Sequence, residues 1–600
     1  MSGIAGVCDF SKAVEKKMLR NMIGIIRHRG KDGLSIFIDD NIGLAHCLMS
    51  MGEKAKRPII NESGSLLLVF DGLIYNLDEL KSKLKKHRFS SNAEEEVIVH
   101  LYEEYGTSAV KMIDGDFAFA LWDNTKKELI LARDGFGARP MFYTIVEGKI
   151  LFASEIKSLL AAGIRRGVNI GVFYRYFNHL ETQGSETMFA GVEKILPGQL
   201  MVYGRNGMKL MQYLDISFYP KVRLSEDAIV KKTSALLDES VLKRVRKSRN
   251  YGVALSGGLD ALSLITLIKK IDDSNIDTYT LECGRSLNEV ESARKIAEFF
   301  GTDHHEITIE PEHINLLPKI FWHAEDGRRF ATSYLFDYML SHSSRKNKIL
   351  FYGWSSEALF GNKMFTWVNR TRLLREIPHA IRKRAVFLRG VFPKKTHAFI
   401  FSRDSSELFM HSPLYFFTEN EKQKLFKRHF NHVRTKKRNS LEDFNYTVFK
   451  NLTQGEMYSA DGQCSANAQQ FTAPFVDRNL ADFVCKVPSS MRFRGYKQKY
   501  LLKRCMENKI PKDLLSNKGP VTLHFYLPKL WCKEHKDILQ QLILRLSKRD
   551  YFMKGELLKI LEGADDNCFK TWELARFELW NEIFIDCEKI KEPKSLKEFL

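Results

Sequence analysis

The stretch Val253-Ala254-Leu255-Ser256-Gly257-Gly258-Leu259-Asp260 decides the fold. It reads as an apolar strand running into a loop with two adjacent glycines, followed by the helical pattern ALSLITLIKKI at 261–271. Glycines let a backbone close on an anion, and free N–H groups at a helix start point at phosphate oxygens. Asp260 sits where a carboxylate can hold Mg2+ against those phosphates. A bare Gly-Gly-x-Asp, taken alone, fits a plain strand-to-helix turn better. The strand before it and Ser256 favour the phosphate cradle. The Gly-Lys-Ser/Thr ending of a Walker loop is missing here.

Working outward, a long amphipathic helix at 225–247 precedes this loop. The segments TYTLEC (278–283), HHEITIE (304–310) and KILFYGW (348–354) alternate with helices after it. That alternation predicts a doubly wound parallel sheet. Residues 1–210 have another texture. LLLVFDGLIYN (66–76), DFAFALWDNTKKELILARD (116–134) and KILFASEI (149–156) are β-rich, with helical patterns at 77–86 and 93–105. A layered α/β sheet domain is expected there. A second domain is expected over 211–600, with a basic, less regular insertion at 365–440 and helices in the remainder.

The composition narrows the class. Six hundred residues exceed one core, and roughly 150 residues per domain suggests two to four domains. An apolar fraction of 44% with 28% charged residues excludes a mostly disordered chain. The excess of 93 basic over 73 acidic side chains, +20, favours a polyanion, an acidic substrate or a membrane surface as partner. The excess is concentrated between Arg382 and Arg438, either as a solvated face or as a docking surface for an acidic partner. Nine scattered cysteines without a CxxC pair fit reduced thiols. With no long apolar span and no signal-like start in MSGIAGVCDF, a cytoplasmic location is expected.

Ser256-Gly257-Gly258-Leu259-Asp260 is also the pyrophosphate-loop motif of the N-type ATP pyrophosphatases, and its surroundings resemble the asparagine synthetase superfamily. Matching segments in the first part are MSGIAGV (1–7), IIRHRGKDG (25–33), RDGFGARPMFY (133–143), FASEIKSLL (152–160) and LPGQL (196–200). These are similar to an Ntn-type class II glutamine amidotransferase sandwich. The second part matches at YGWSSEALFGN (352–362), MYSADGQCSANAQQFTAPFVD (457–477) and IPKDLLSNKGP (510–520). The resemblance implies ATP and Mg2+ as cofactors. It assigns ATP and pyrophosphate to Leu255, Ser256, Gly257, Gly258, Asp260, Gly353 and the backbone of Leu281. Asp260 and Glu357 are the implied metal ligands, Lys518 the implied catalytic lysine beside Asp260, and Ala261 replaces a family serine.

Departures from the pattern define the expected activity. Working amidotransferases expose an N-terminal cysteine thiolate, and Ser2 holds that position here. A serine hydroxyl with only an amine as base is a much weaker nucleophile. Leu48 replaces the arginine for glutamine's carboxylate, Leu73 the carboxylate for its amine, and Asp71 the oxyanion-hole asparagine. A negative Asp71 would repel a developing oxyanion. A degenerate glutaminase site that props the synthetase domain is therefore expected. In the substrate pocket, Trp354 replaces a glutamate and Gln470 opens a pattern that has lost an acidic and a basic residue, which disfavours a zwitterionic aspartate. The expectation is ATP-dependent, AMP-forming amide synthesis on a small-molecule or peptide carboxylate and amine, without glutamine hydrolysis. Losses of this kind resemble β-lactam synthetase and the lasso-peptide cyclases. An ammonia-dependent asparagine synthetase or metabolite amidotransferase, and a degenerate nucleotide-binding scaffold, are the alternatives.

Overall fold

The computed structural model describes residues 2–49, 58–91, 93–177, 184–248, 250–283, 287–325, 331–361, 417, 419–428, 430, 441–494, 497–511, 514, 526–563 and 568–599. Two six-stranded antiparallel sheets stack in its first part. In spatial order the first runs Glu193–Lys194, Phe142–Val146, Lys149–Ala153, Gly3–Asp9, Ile42–Leu48 and Gly33–Asp39. The second runs Gly207–Gln212, Gln199–Gly204, Glu128–Arg133, Gly115–Asp123, Leu66–Ile74 and Ile59–Ile60. Ile4, Leu44, Phe152, Val69 and Trp122 fill the space between them. Helices cover the outer faces, which is why LLLVF reads as an unbroken apolar run rather than an alternating one. Helix Lys16–Ile25 buries Leu19, Met22 and Ile23, at the i, i+3, i+4 spacing of one helical face.

The second part contains the expected parallel sheet. Its order is Asp303–Thr308, Asp277–Glu282, Tyr251–Ala254, Ile349–Phe351, Gln470–Thr472. From Tyr251–Ala254 the chain builds outward on one side through two strands, then returns to build on the other. The order therefore reverses between Tyr251–Ala254 and Ile349–Phe351. Helices Tyr526–Glu534, Lys536–Leu546, Lys554–Glu562 and Cys568–Phe584 form the expected helical extension. It packs back on the sandwich through Phe173 and Phe577, whose rings stack 3.4 Å apart, and through Phe189 and Phe584. Among the described residues no helix is long and apolar enough to cross a membrane.

Most of the basic stretch 382–438 lies outside the described residues, Arg434, Lys436, Lys437 and Arg438 included. Where it is described, part of it belongs to the core rather than to a charged surface. Lys422 is buried with its ammonium 4.1 Å above the Tyr174 ring. Phe426 is buried against Phe177 and Phe552, and Lys427 pairs with Asp550. Aromatic packing has drawn these residues inward.

A buried ionic cluster joins the sandwich to the synthetase part. Arg29 is 0% exposed and grips Asp461 of helix Leu441–Ala466 with both terminal nitrogens, at 2.8 and 3.1 Å. The same guanidinium donates to Asp71 at 3.0 Å and to Glu155 at 3.0 Å, while its Nε donates to the Ser2 carbonyl. Arg139 adds a second donor to Asp461 at 3.2 Å. Beside it, Lys157 meets Glu155 at 2.5 Å and Glu325 at 3.2 Å. Burial alone would raise Glu155, but His28, Lys157 and Arg29 hold it well below the usual carboxylate range. Removing one partner of such a cluster strands charges in the interior, at about 3–5 kcal/mol. Arg29→Met is therefore expected to lower the urea midpoint by about that much stability, and Arg29→Lys, which keeps the charge without the fork, by less. An Arg29→Met midpoint equal to that of the parent would contradict this account.

Candidate active site at the switch point of the parallel sheet

In open α/β sheets, ligands bind at the carboxyl ends of the strands, where the strand order reverses. Here two loops flank that point. Leu255–Gly258 follows Tyr251–Ala254, and Tyr352–Ser355 follows Ile349–Phe351. The first loop is anchored at its root, where Leu255 N donates to Tyr279 O at 2.8 Å and Thr280 Oγ1 donates to Leu255 O. Gly257 has no alternative at its position. A Cβ there would sit 2.5 Å from Ser292 Cβ and 2.8 Å from Glu289 O, on the helix Leu287–Phe300. Gly258 caps helix Leu259–Lys269 in an extended conformation, so the first N–H groups of that helix open toward the loop.

Asp260, in the first turn of that helix, is the hub of the site. Ser356 Oγ donates to its Oδ1 at 2.7 Å, and Lys499 Nζ donates to its Oδ2 at 2.6 Å. The same ammonium lies 3.6 Å from Glu357 Oε1. Gly353 lets the second loop close on the start of helix Leu259–Lys269, since a Cβ at 353 would meet Asp260 Cβ at 3.3 Å. Burial works against the Lys499 charge, but Asp260 and Glu357 outweigh it and raise its pKa. Two hard oxygen donors thus converge on one point already suited to a cation, which fits the Mg2+ inferred for Asp260 and Glu357. Ser355 and Lys499 both adopt left-handed backbone, φ 63° and 51°. For non-glycine residues this costs on the order of 1–3 kcal/mol and is typical of positions held for function.

The other expected residues fall unevenly. Leu255, Ser256, Gly257, Gly258, Asp260, Gly353 and Glu357 share this edge, and Leu281 lies at the same end of the neighbouring strand Asp277–Glu282. Trp354 follows the strand end, stacked 5.6 Å from Tyr352, with an indole N–H that has no partner among the described residues. Gln470 is elsewhere. Parallel register pairs it with Ile349, at the opening end of the strands, where it is 3% exposed. The register thus does not bring Gln470 to Trp354. Lys518 lies outside the described residues. Lys499 and Ser356 were not singled out from sequence. A lysine just before the short helix Tyr500–Met506 has no motif around it, and only the fold carries it to Asp260.

The amidotransferase-like pocket is assembled but occupied. Gly3 pairs with Cys47, so Leu48 comes opposite Ser2. Ser2 N donates to Asp71 Oδ1 at 2.8 Å, while Asp71 Oδ2 is held by Arg29. Leu73 lies two residues beyond Asp71 on the same face of strand Leu66–Ile74. Asp71 is 0% exposed and committed to structure at both oxygens.

Comparison with known proteins agrees with this geometry. Residues 1–214 match the family model of the glutamine amidotransferase domain, and residues 232–582 that of asparagine synthase. Asparagine synthetase [glutamine-hydrolyzing] 1 of Bacillus subtilis is 26% identical over 99% of both chains. Asparagine synthetase [glutamine-hydrolyzing] 3 of the same organism is 23% identical over 86% of each. Amidase chry2 of Gibberella zeae is 29% identical over 51% of this chain and 48% of its own length. With more than half of its length matched by one family model, the chain belongs to the asparagine synthase family and carries a glutamine amidotransferase-type domain in front.

Proposed function

We propose that the protein is an ATP-dependent carbon–nitrogen ligase that forms AMP and does not hydrolyse glutamine. The observation that carries this reading is the convergence of Asp260, Glu357 and Lys499 beside the glycine loop at the sheet's switch point. A substrate carboxylate oxygen attacks the α-phosphorus of ATP, the bond to the β-phosphate oxygen breaks, and pyrophosphate leaves. An amine then attacks the acyl carbonyl, loses a proton and displaces AMP. Ser256, Gly257, Gly258 and the helix start cradle the phosphates, and Lys499 and Lys518 meet the charge of the leaving pyrophosphate. Asp260 and Glu357 would hold Mg2+, which supplies charge neutralisation at the phosphates when bound. Leu281 offers backbone groups to the adenine. Trp354 offers a neutral face and one N–H donor to the substrate, which suits an acceptor larger and less charged than aspartate. A peptide or natural product closed by an internal amide fits that description.

Two predictions follow from these assignments. Magnesium pyrophosphate is expected to bind the protein, and Asp260→Asn or Lys499→Met to weaken that binding about a hundredfold, read by isothermal titration. Equal affinity in all three proteins would move the phosphate site away from this loop. Turnover should give AMP and pyrophosphate by 31P NMR, whereas ADP and orthophosphate would contradict the assignment.

Glutamine should not be hydrolysed, and Ser2→Cys alone should not restore hydrolysis, because Leu48, Leu73 and the committed Asp71 remain. Glutamate release above that of a heat-inactivated sample would overturn the reading of the pocket.

A further inference from the structure

The outer edge of the sandwich carries a group that neither the nucleotide site nor the amidotransferase pocket uses. Glu62 comes from the turn before strand Leu66–Ile74, His87 from the loop after helix Leu77–Lys83, and His100 and Glu103 from helix Glu96–Tyr105. One ligand atom from each of the four lies within 4.8 Å of the other three. His100 Nδ1 is 2.9 Å from Glu103 Oε2 and 3.7 Å from Glu62 Oε2, and His87 Nδ1 is 3.4 Å from Glu103 Oε2. Ligand bonds of about 2.0–2.2 Å in a tetrahedron place donors roughly 3.4 Å apart. The spacings found bracket that value. We propose that Glu62, His87, His100 and Glu103 form a structural zinc site.

The surroundings support a metal over a plain ionic cluster. In each of the four side chains, the atom not facing the centre has its own neighbour. His87 Nε2 is 2.9 Å from Glu104 Oε1, Asn61 Nδ2 donates to Glu103 Oε1 at 2.7 Å, and Arg88 N donates to Glu62 Oε1 at 3.3 Å. His100 Nε2 is 3.6 Å from Glu96 Oε1. Carboxylates behind ligating histidines, with ligating carboxylates themselves hydrogen-bonded, make up the outer arrangement that orients metal ligands.

His100 is the second, independent sign. It is 0% exposed, and its Nε2 has no hydrogen-bond partner. If Nδ1–H donates to Glu103, the Nε2 lone pair is left buried and facing the Glu96 carboxylate. With a metal on Nδ1 the proton moves to Nε2 and points at Glu96 instead, which resolves the mismatch. Charge points the same way. Four carboxylates gather around two imidazoles, and no lysine or arginine pairs with any of the four among the described residues. The other candidate group, Asp277, Asp303 and His305, already has Lys346 at 2.7 Å from Asp277.

Two imidazoles and two carboxylates in a tetrahedron suit Zn2+, and four protein donors leave no open position, so the ion would clamp rather than catalyse. It would tie the turn at Glu62, the loop at His87 and the later turns of helix Glu96–Tyr105 into one unit.

The test uses the full-length protein, stripped with a chelator and titrated with Zn2+ against a chromophoric competitor, with excess Mg2+ present to occupy oxygen-only sites. One equivalent should bind and raise the melting temperature, and Co2+ should give the intense visible absorption of a tetrahedral site. His87→Gln and Glu62→Gln, at partly exposed positions, should each weaken Zn2+ by about a hundredfold or more, and Glu104→Gln by about tenfold, while magnesium pyrophosphate binding stays unchanged. Absence of a bound equivalent in the parent protein, or Zn2+ that binds the parent and His87→Gln alike, would overturn the proposal. Failure of pyrophosphate binding would bear on the nucleotide site and leave this one untouched.

Discussion

One buried guanidinium lies at the centre of the ionic cluster that joins the two halves of this molecule. Arg29 reaches Ser2, Asp71 and Glu155 within the sandwich and Asp461 across the interface, with no water-exposed surface of its own. A charge in that position is tolerable only because carboxylates from both halves surround it in bidentate and charge-assisted geometry. This constraint also explains the amidotransferase pocket. Asp71, read by resemblance as replacing an oxyanion-hole asparagine, is a buried carboxylate compensated by Arg29 and the Ser2 N–H. Both Asp71 oxygens are thus engaged in structural contacts.

At the other end of the chain's logic, Lys499 performs a related task. Its ammonium lies between Asp260 and Glu357 and so offsets two carboxylates at the sheet edge. Ser356 and the Lys499 ammonium reach Asp260 from residues beside or in left-handed backbone, and Gly353 lets the second loop approach the start of the helix that carries Asp260. A site built this way is organised around a cation before any phosphate arrives. Under the proposed function, magnesium and a polyphosphate would exchange one set of charge contacts for another. That is the physical sense in which the loop is preorganised.

Much of this was legible in the sequence. The parallel sheet, the glycine loop and the helix after it followed from apolar runs and their punctuation, since strand burial and glycine geometry are local properties. The replacements proposed at 2, 48, 71 and 73 came from resemblance, and the structure shows Ser2 N bonded to Asp71 with Leu48 opposite Ser2 in the strand register. What the sequence did not show is long-range. Lys499 is 239 residues from Asp260 and Arg29 is 432 from Asp461. No spacing rule links such pairs. Gln470 shows the reverse failure, because a position in a motif does not say which end of a strand faces the ligand. Lys422 was read as part of a charged stretch, yet aromatic neighbours distant in sequence draw it inside.

The central claim is that the loop at 255–258 and the Asp260, Glu357 and Lys499 group together bind ATP as a magnesium complex. A crystal structure with a non-hydrolysable ATP analogue and Mg2+ tests it most directly. The account predicts the β- and γ-phosphates over Ser256–Gly258, Mg2+ on Asp260 and Glu357, and the Lys499 ammonium turned from Asp260 to a phosphate oxygen. A nucleotide bound elsewhere, or one bound here with the Lys499–Asp260 pair intact and no metal on either carboxylate, would contradict it.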